Sequence, residues 1–161
     1  MSEKIKIEEI NKENFNDFFY LLNKLALYEK QENLDKKIKN RIKKDCLSDK
    51  PIINIYLTKL KNKYIGYIIF YYTYSSYLGL PTLHIEDLFV EEAYRRRGIG
   101  QKMFEFCAKQ ALDKECGRME WCVFDWNEKA INFYKKNNAK ILQKKYFRLT
   151  KQDLENILEG Y

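Results

Sequence analysis

Between Arg95 and Gly100 the chain reads RRRGIG, three guanidinium groups running into two glycines. Glycine lets backbone N–H groups approach a ligand closely, and a helix N-terminus presents N–H groups to an anion. Arginines add charge-assisted hydrogen bonds to phosphate oxygens. Between a strand and a helix, R-x-x-G-x-G is therefore an anion cradle; a basic turn ahead of a helix is the plainer reading. Just upstream, Glu86-Asp87 sits in the apolar run LHIEDLFV (83–90). A carboxylate there can accept a proton, although two acids in a strand are also a common edge feature. Because side chains alternate along a strand, Asp87 is expected to point away from the side that Glu86 faces. Four cysteines (Cys46, Cys107, Cys116, Cys122) and a single histidine, His84, contain no C-x-x-C pair and no metal-ligand spacing. No metal site and no nucleophile–base pair are expected, and the thiols read as buried and reduced.

These groups need elements to hold them. Residues 4 to 10 alternate weakly as a first strand, and Asn11 offers a cap for a helix to about Glu29. In that helix Phe15, Phe18, Phe19, Leu22, Leu25 and Ala26 keep helical spacing. A second helix carries KKIKNRIKK (36–44) and ends near Leu47. Leu34, Ile38 and Ile42 recur every fourth residue, which places the positive charges on its outer face. Ile53, Ile55 and Leu57 alternate with polar neighbours, and Lys61-Asn62-Lys63 turns that strand into YIGYIIFYYTY, an antiparallel hairpin. The strand at 83–90, the RRRGIG loop and a helix from about Ile99 to Lys114 follow, the helix burying Met103, Phe106, Cys107 and Ala111. MEWCVF (119–124) reads as a strand, 128–137 as a short helix, 141–142 with 146–149 as a closing hairpin, and 151–159 as a last helix. The order β-α-α-β-β-β-α-β-α-β-β-α describes an α/β protein with a mixed sheet and helices on its faces.

The chain has 161 residues, 45% hydrophobic and 33% charged, which suits one globular domain over 1–161. With thirteen tyrosines, some are expected to line a cleft. No apolar run approaches the roughly 20 residues that span a bilayer, and MSEKIKIEEI has no apolar signal segment, so a cytoplasmic protein with no membrane partner is expected. A net charge of +7 suits phosphate-bearing partners. The basic helix lacks stacking aromatics and the 23 acids are scattered among 30 bases, so no nucleic-acid partner is expected.

With these flanking stretches, the sequence resembles the GNAT superfamily of acetyl-CoA-dependent N-acetyltransferases, whose pyrophosphate loop is [Q/R]-x-x-G-x-[G/A] at this strand–helix junction. IEDLFV (85–90), the loop, DWNEKAINFYKKNNA (125–139) and LALYE (25–29) are similar to the spermidine/spermine (diamine and thialysine) acetyltransferase group. The resemblance runs over essentially the whole chain and is strongest from 83 to 139. It implies the acyl-CoA N-acyltransferase fold, a homodimer, and direct transfer of acetyl from acetyl-CoA to a primary amine of a small molecule. That amine would be a diamine, a polyamine or a lysine analogue such as thialysine, with a protein lysine or an aminoglycoside as the alternative. The loop residues Arg95, Arg96, Arg97, Gly98, Ile99 and Gly100 would hold the pyrophosphate. Leu88, Phe89 and Val90 would hydrogen-bond the pantetheine arm through their backbone, and Asn127, Lys129, Ala130 and Tyr134 would also meet the cofactor. Glu86 would take a proton, through a water, from an amine whose pKa is about 10.4, and Tyr134 would protonate the departing thiolate. Tyr28, Glu29, Glu86, Asp87, Glu120 and Trp121 would form the amine pocket, Tyr28 and Trp121 as walls. Replacing Arg95 and Arg97 by alanine should then weaken cofactor binding with little effect on stability. Three departures stand out: Arg96 and Asn138 where glycine is common, and Ser75-Ser76 with Lys144-Lys145 where polyamine enzymes carry acids.

Overall fold

A computed structural model describes residues 4–160, which form two compact units, one up to Cys122 and one from Val123. In the larger unit five strands form one sheet in the order β1-β2-β3-β4-β5. They are β1 (Ile5–Glu9), β2 (Asn54–Leu60), β3 (Lys63–Ser75), β4 (Leu80–Val90) and β5 (Arg118–Trp121). The first four pair antiparallel, and β5 joins β4 in parallel after the crossover helix α3 (Ile99–Asp113). Helix α1 (Phe15–Tyr28) and the basic α2 (Lys36–Cys46) precede β2.

The sheet is buried on both faces, which is why YIGYIIF is apolar throughout rather than alternating. One core takes Phe15, Phe18 and Leu21 of α1 with Ile55, Leu57, Tyr67, Ile69 and Phe89. The other takes Ile99, Met103, Cys107 and Ala111 of α3 with Ile68, Phe70, Leu83, Ile85 and Val90. Leu34, just before α2, and Ile42 on it pack against the first core, while Ile38 is exposed. The lysines of α2 are not all turned outward as expected: Lys39 and Lys43 lie over the rings of Phe19 and Phe15, their stems covering apolar surface. Helix α1 starts later than Asn11. Asn14 is the cap residue, and Asn11 organises the turn before it by accepting from the N–H groups of Glu13 and Asn14.

In the smaller unit α4 (Glu128–Lys136) and α5 (Lys151–Glu159) form as the spacing predicts. The strand expected over 119–124 stops at Trp121. No strand forms over 139–150, so the closing hairpin is absent among the described residues. Ile141, Leu142, Tyr146, Phe147 and Leu149 are exposed there. Strand propensity alone does not create a strand, because an isolated two-stranded hairpin is marginal without a further strand or helix to pack on.

Strands β3 and β4 approach closely at Gly66, where an added Cβ would stand 2.5 Å from the carbonyl oxygen of Phe89. That neighbour is backbone and cannot rotate away. Gly66→Ala is therefore expected to lower stability by at least about 1–3 kcal/mol, read as a reduced denaturant midpoint; an unchanged midpoint would contradict the register described here.

Candidate active site

The chemistry gathers where β4 breaks its alternation. Ile69 opposes Asp87 while the next residue, Phe70, opposes Ile85, so Glu86 is the extra residue of a β-bulge. Leu83 and Ile85 lie in the core under α3, and beyond the bulge Leu88 and Val90 join that same core. The step from Ile85 to Leu88 thus spans three residues, and both Glu86 and Asp87 stand on the α1 side. The expectation that they face opposite sides is corrected, because the bulge cancels the strand's two-residue period.

Helix α1 brings a third acid. Gln31 N–H bonds to Ala26 C=O and Lys30 N–H to Leu27 C=O, with Lys30 at φ 59°. This Schellman closure ends the helix at Tyr28-Glu29 without glycine. Burial raises the Glu29 carboxyl above its usual range, and the nearby Glu86 charge pushes it further. Asp87 is pushed up to about 7 by burial; the Tyr67 hydroxyl, which donates to its Oδ2 at 3.2 Å, opposes the rise, and Glu86 and Glu29 add to it. Glu29 and Asp87, whose charges are disfavoured beside Glu86, would both be relieved by a cation placed among the three carboxyl groups.

Tyr28 closes one wall, its ring under the Arg95 guanidinium at 4.8 Å. Trp121 does not join this group. It packs with Phe104 on the α3 side of the sheet, ring centroids 5.3 Å apart. Glu120 pairs with Arg118 at 3.1 Å and sits in register with His84. Tyr67 is the residue that sequence reasoning missed. A tyrosine in a buried strand needs a partner for its O–H, but which one depends on a bulge that composition does not reveal.

The loop has the shape of an anion cradle. Gly98 at φ 74° is the N-cap of α3, and no side chain caps this helix. Arg96 has φ 61°, a left-handed conformation in which glycine is at ease, which is in keeping with the glycine that the family resemblance leads one to expect there. Its side chain is exposed. Arg95 is committed to the fold: its Nε donates to Val90 C=O at 2.8 Å, and its guanidinium also lies 5.7 Å from the Phe89 ring. Arg97 lies over Tyr94. The cradle is anchored from behind by Glu91, a buried acid paired with Lys24 and, at 3.2 Å, with Lys63. Strand β5 pairs with β4 only over Thr82–Ile85. From Glu86 to Val90 that edge has no strand partner among the described residues, which leaves backbone groups for an extended ligand such as a pantetheine arm. These features fit a phosphate-bearing ligand with an extended arm.

In the smaller unit Asn127 caps α4, its Oδ1 accepting from Ala130 N–H at 3.3 Å, with Lys129 and Ala130 in the first turn. Tyr134 contacts Phe133, ring centroids 5.1 Å apart. Its carbonyl accepts from Ala139 N–H in a Schellman closure at Asn138, φ 61°. Burial pushes the Cys46 thiol up to about 11 and the Cys107 thiol up to about 12, so neither is a ready nucleophile. Cys122, unlike the expectation, is exposed. Among the described residues no group of three His, Cys, Asp or Glu side chains is arranged around a metal position, and no helix is long and apolar enough to cross a membrane.

Comparison with known proteins identifies the family and the fold. The model of the acetyltransferase (GNAT) family matches residues 9–138. The chain is 41% identical over 93 residues to the L-ornithine N5-acetyltransferase NATA1 of Arabidopsis thaliana, a match covering 57% of this chain and 41% of that protein. It is 28% identical over 146 residues to the thialysine N-epsilon-acetyltransferase of Bos taurus, covering 86% and 85%. Among solved structures, an integron cassette protein from the mobile metagenome of V. cholerae shares the fold with a TM-score of 0.84 at 21% identity, over 99% of both chains.

Two variants test the site. Between about pH 4 and 7 native Asp87 keeps a proton that the unfolded chain has released, so stability falls as pH rises through that window. Asp87→Asn removes the fall: it should melt roughly 5–10 °C above wild type at pH 8 and level with it at pH 4, and equal melting at both would refute the buried charge. Arg95→Ala should lose about 1–3 kcal/mol while Arg97→Ala loses under about 0.5 kcal/mol. This replaces the expectation that both are stability-neutral, and equal denaturant midpoints would reverse it.

Proposed function

The chain belongs to the acetyltransferase (GNAT) family, which uses acetyl-CoA, and we propose that it acetylates a primary amine of a small molecule carrying more than one positive charge. Its substrate class is the diamines, polyamines and diamino acids of the ornithine or thialysine kind. The observation that carries this reading is the grouping of Glu29, Glu86 and Asp87 on one side of the β4 bulge. Two ligand cations, one reacting and one retained, match three carboxyl groups better than a lone amine does. The curated relatives named above act on ornithine and thialysine, which are amines of this kind.

Acetyl-CoA supplies an acyl group already activated as a thioester. The N–H groups at the start of α3 and the side chains of Arg96 and Arg97 hold its pyrophosphate, while Arg95, whose backbone N–H donates to Glu92 C=O and whose Nε donates to Val90 C=O, fixes the shape of the loop. The open edge at Leu88, Phe89 and Val90 aligns the pantetheine arm; Asn127, Lys129 and Ala130 of the smaller unit are assigned to the cofactor from the family resemblance alone. Glu86, exposed at the bulge, takes a proton from the reacting ammonium through water, so that the nitrogen presents its lone pair. Asp87 and Glu29 hold the second cation. From the family resemblance, Tyr134 of the smaller unit would supply a proton to the sulfur that leaves.

Thiol release from acetyl-CoA across ornithine, thialysine, diamines, spermidine, monoamines, a lysine peptide and an aminoglycoside tests the proposal. Diamines or diamino acids should give the highest kcat/KM, with Tyr134→Phe lowering kcat about 100-fold or more at little change in amine KM. A best substrate among the peptides or aminoglycosides, or an undiminished Tyr134→Phe, would overturn the corresponding assignment.

A further inference from the structure

We propose that Tyr67 is a positioning residue for the amine site: its buried hydroxyl holds Asp87 fixed and ionised toward the cationic end of the substrate. This rests on the reading of Asp87 as a ligand for that cation. The phenol has no freedom of its own. Its ring is wholly buried, edge-on to Phe18 of α1 at 5.2 Å and tilted against Phe89 of β4 at 5.8 Å. In the β3–β4 ladder Tyr67 opposes Phe89 and Ile69 opposes Asp87, which makes Tyr67 and Asp87 diagonal neighbours on one face. The hydroxyl reaches Asp87 Oδ2 at 3.2 Å. Without the bulge Asp87 would face α3, and the bond could not form.

The neighbours of Asp87 make this bond decisive. Glu86 from β4 and Glu29 from α1 both oppose its charge, and so does its burial; Tyr67 from β3 favours it. Tyr67 remains a donor at every working pH, because burial and then the charges of Asp87 and Glu29 hold its own proton firmly. A hydrogen bond to a charged acceptor corresponds to about one to two pKa units. Removing it lets Asp87 take up a proton at a pH where the site should be anionic, and a neutral carboxyl attracts an ammonium far less. Tyr67 therefore sets the lower pH limit for binding a second cation without touching substrate.

Tyr67→Phe isolates the effect, since the phenyl ring keeps the contacts with Phe18 and Phe89. The Asp87 carboxyl carbon is titrated by NMR in wild type and variant, and amine KM, acetyl-CoA KM and kcat are measured from pH 6.5 to 9.5. The Asp87 midpoint should rise by roughly one to two pH units. The variant-to-wild-type ratio of amine KM should be about 3- to 20-fold near pH 7.5 and approach one by pH 9.5, with kcat and acetyl-CoA KM unchanged. In an Asp87→Asn background the substitution should have no pH-dependent effect. An unmoved midpoint, or an amine KM raised equally at all pH values, would reduce Tyr67 to packing and overturn the proposal. If wild type acetylates no amine, the acetyl-transfer reading fails, while the NMR midpoint still decides the link between Tyr67 and Asp87.

Discussion

One extra residue in β4 governs the site. Regular pairing would send Glu86 and Asp87 to opposite faces and place one carboxylate in the apolar core beneath α3, among Leu83, Ile85 and Met103. The bulge at Glu86 turns both toward α1, where the helix ends at Glu29. It also lies where β5 stops following β4: the parallel pairing ends at Ile85. One irregularity therefore gathers the acids and opens a strand edge beside them. The close contact of Gly66 with the Phe89 carbonyl fixes the register on the other side of β4, so the bulge has little room to migrate.

The grouping is costly to the empty protein. Asp87 is held near neutrality by burial, with Glu86 and Glu29 adding to the rise, and only Tyr67 among its named neighbours opposes the trend. Under the proposed function, such destabilised charge is binding energy held in reserve for a cation. The cradle is built on an opposite principle. Backbone N–H groups at α3 and the left-handed residues Arg96 and Gly98 offer partial positive charge in a fixed geometry, so an anion requires no reorganisation. Arg95 joins the two regions physically, resting on Tyr28 next to Glu29 while bonded to the end of β4.

Much of this was legible in the sequence. The helices α1, α3, α4 and α5 follow their apolar spacing within a few residues, and the hairpin around Lys61-Asn62 follows its turn residues. R-x-x-G-x-G with IEDLFV marked the junction at which β4 gives way to α3. The misses share a cause, which is dependence on neighbours distant in sequence. The bulge arises from how β3 and β4 fit together, so neither the shared face of Glu86 and Asp87 nor the role of Tyr67 could be read from alternation. Lys30, Glu115 and Asn138 all take positive φ to close helices. Of these only Asn138 carried a sequence signal, because lysine and glutamate rarely mark such ends. Residues 141–149 have strand composition but no partner strand among the described residues. Trp121 looked like a pocket wall, yet its place on β5 sends it to Phe104.

The central claim is that Asp87 gives up its proton to receive a cation. Calorimetry of diamine binding near pH 7, repeated in buffers of different ionisation enthalpy, counts the protons exchanged. With Asp87 titrating near 7, wild type should release about half a proton more than Asp87→Asn on binding. Equal proton exchange in the two proteins would contradict the account.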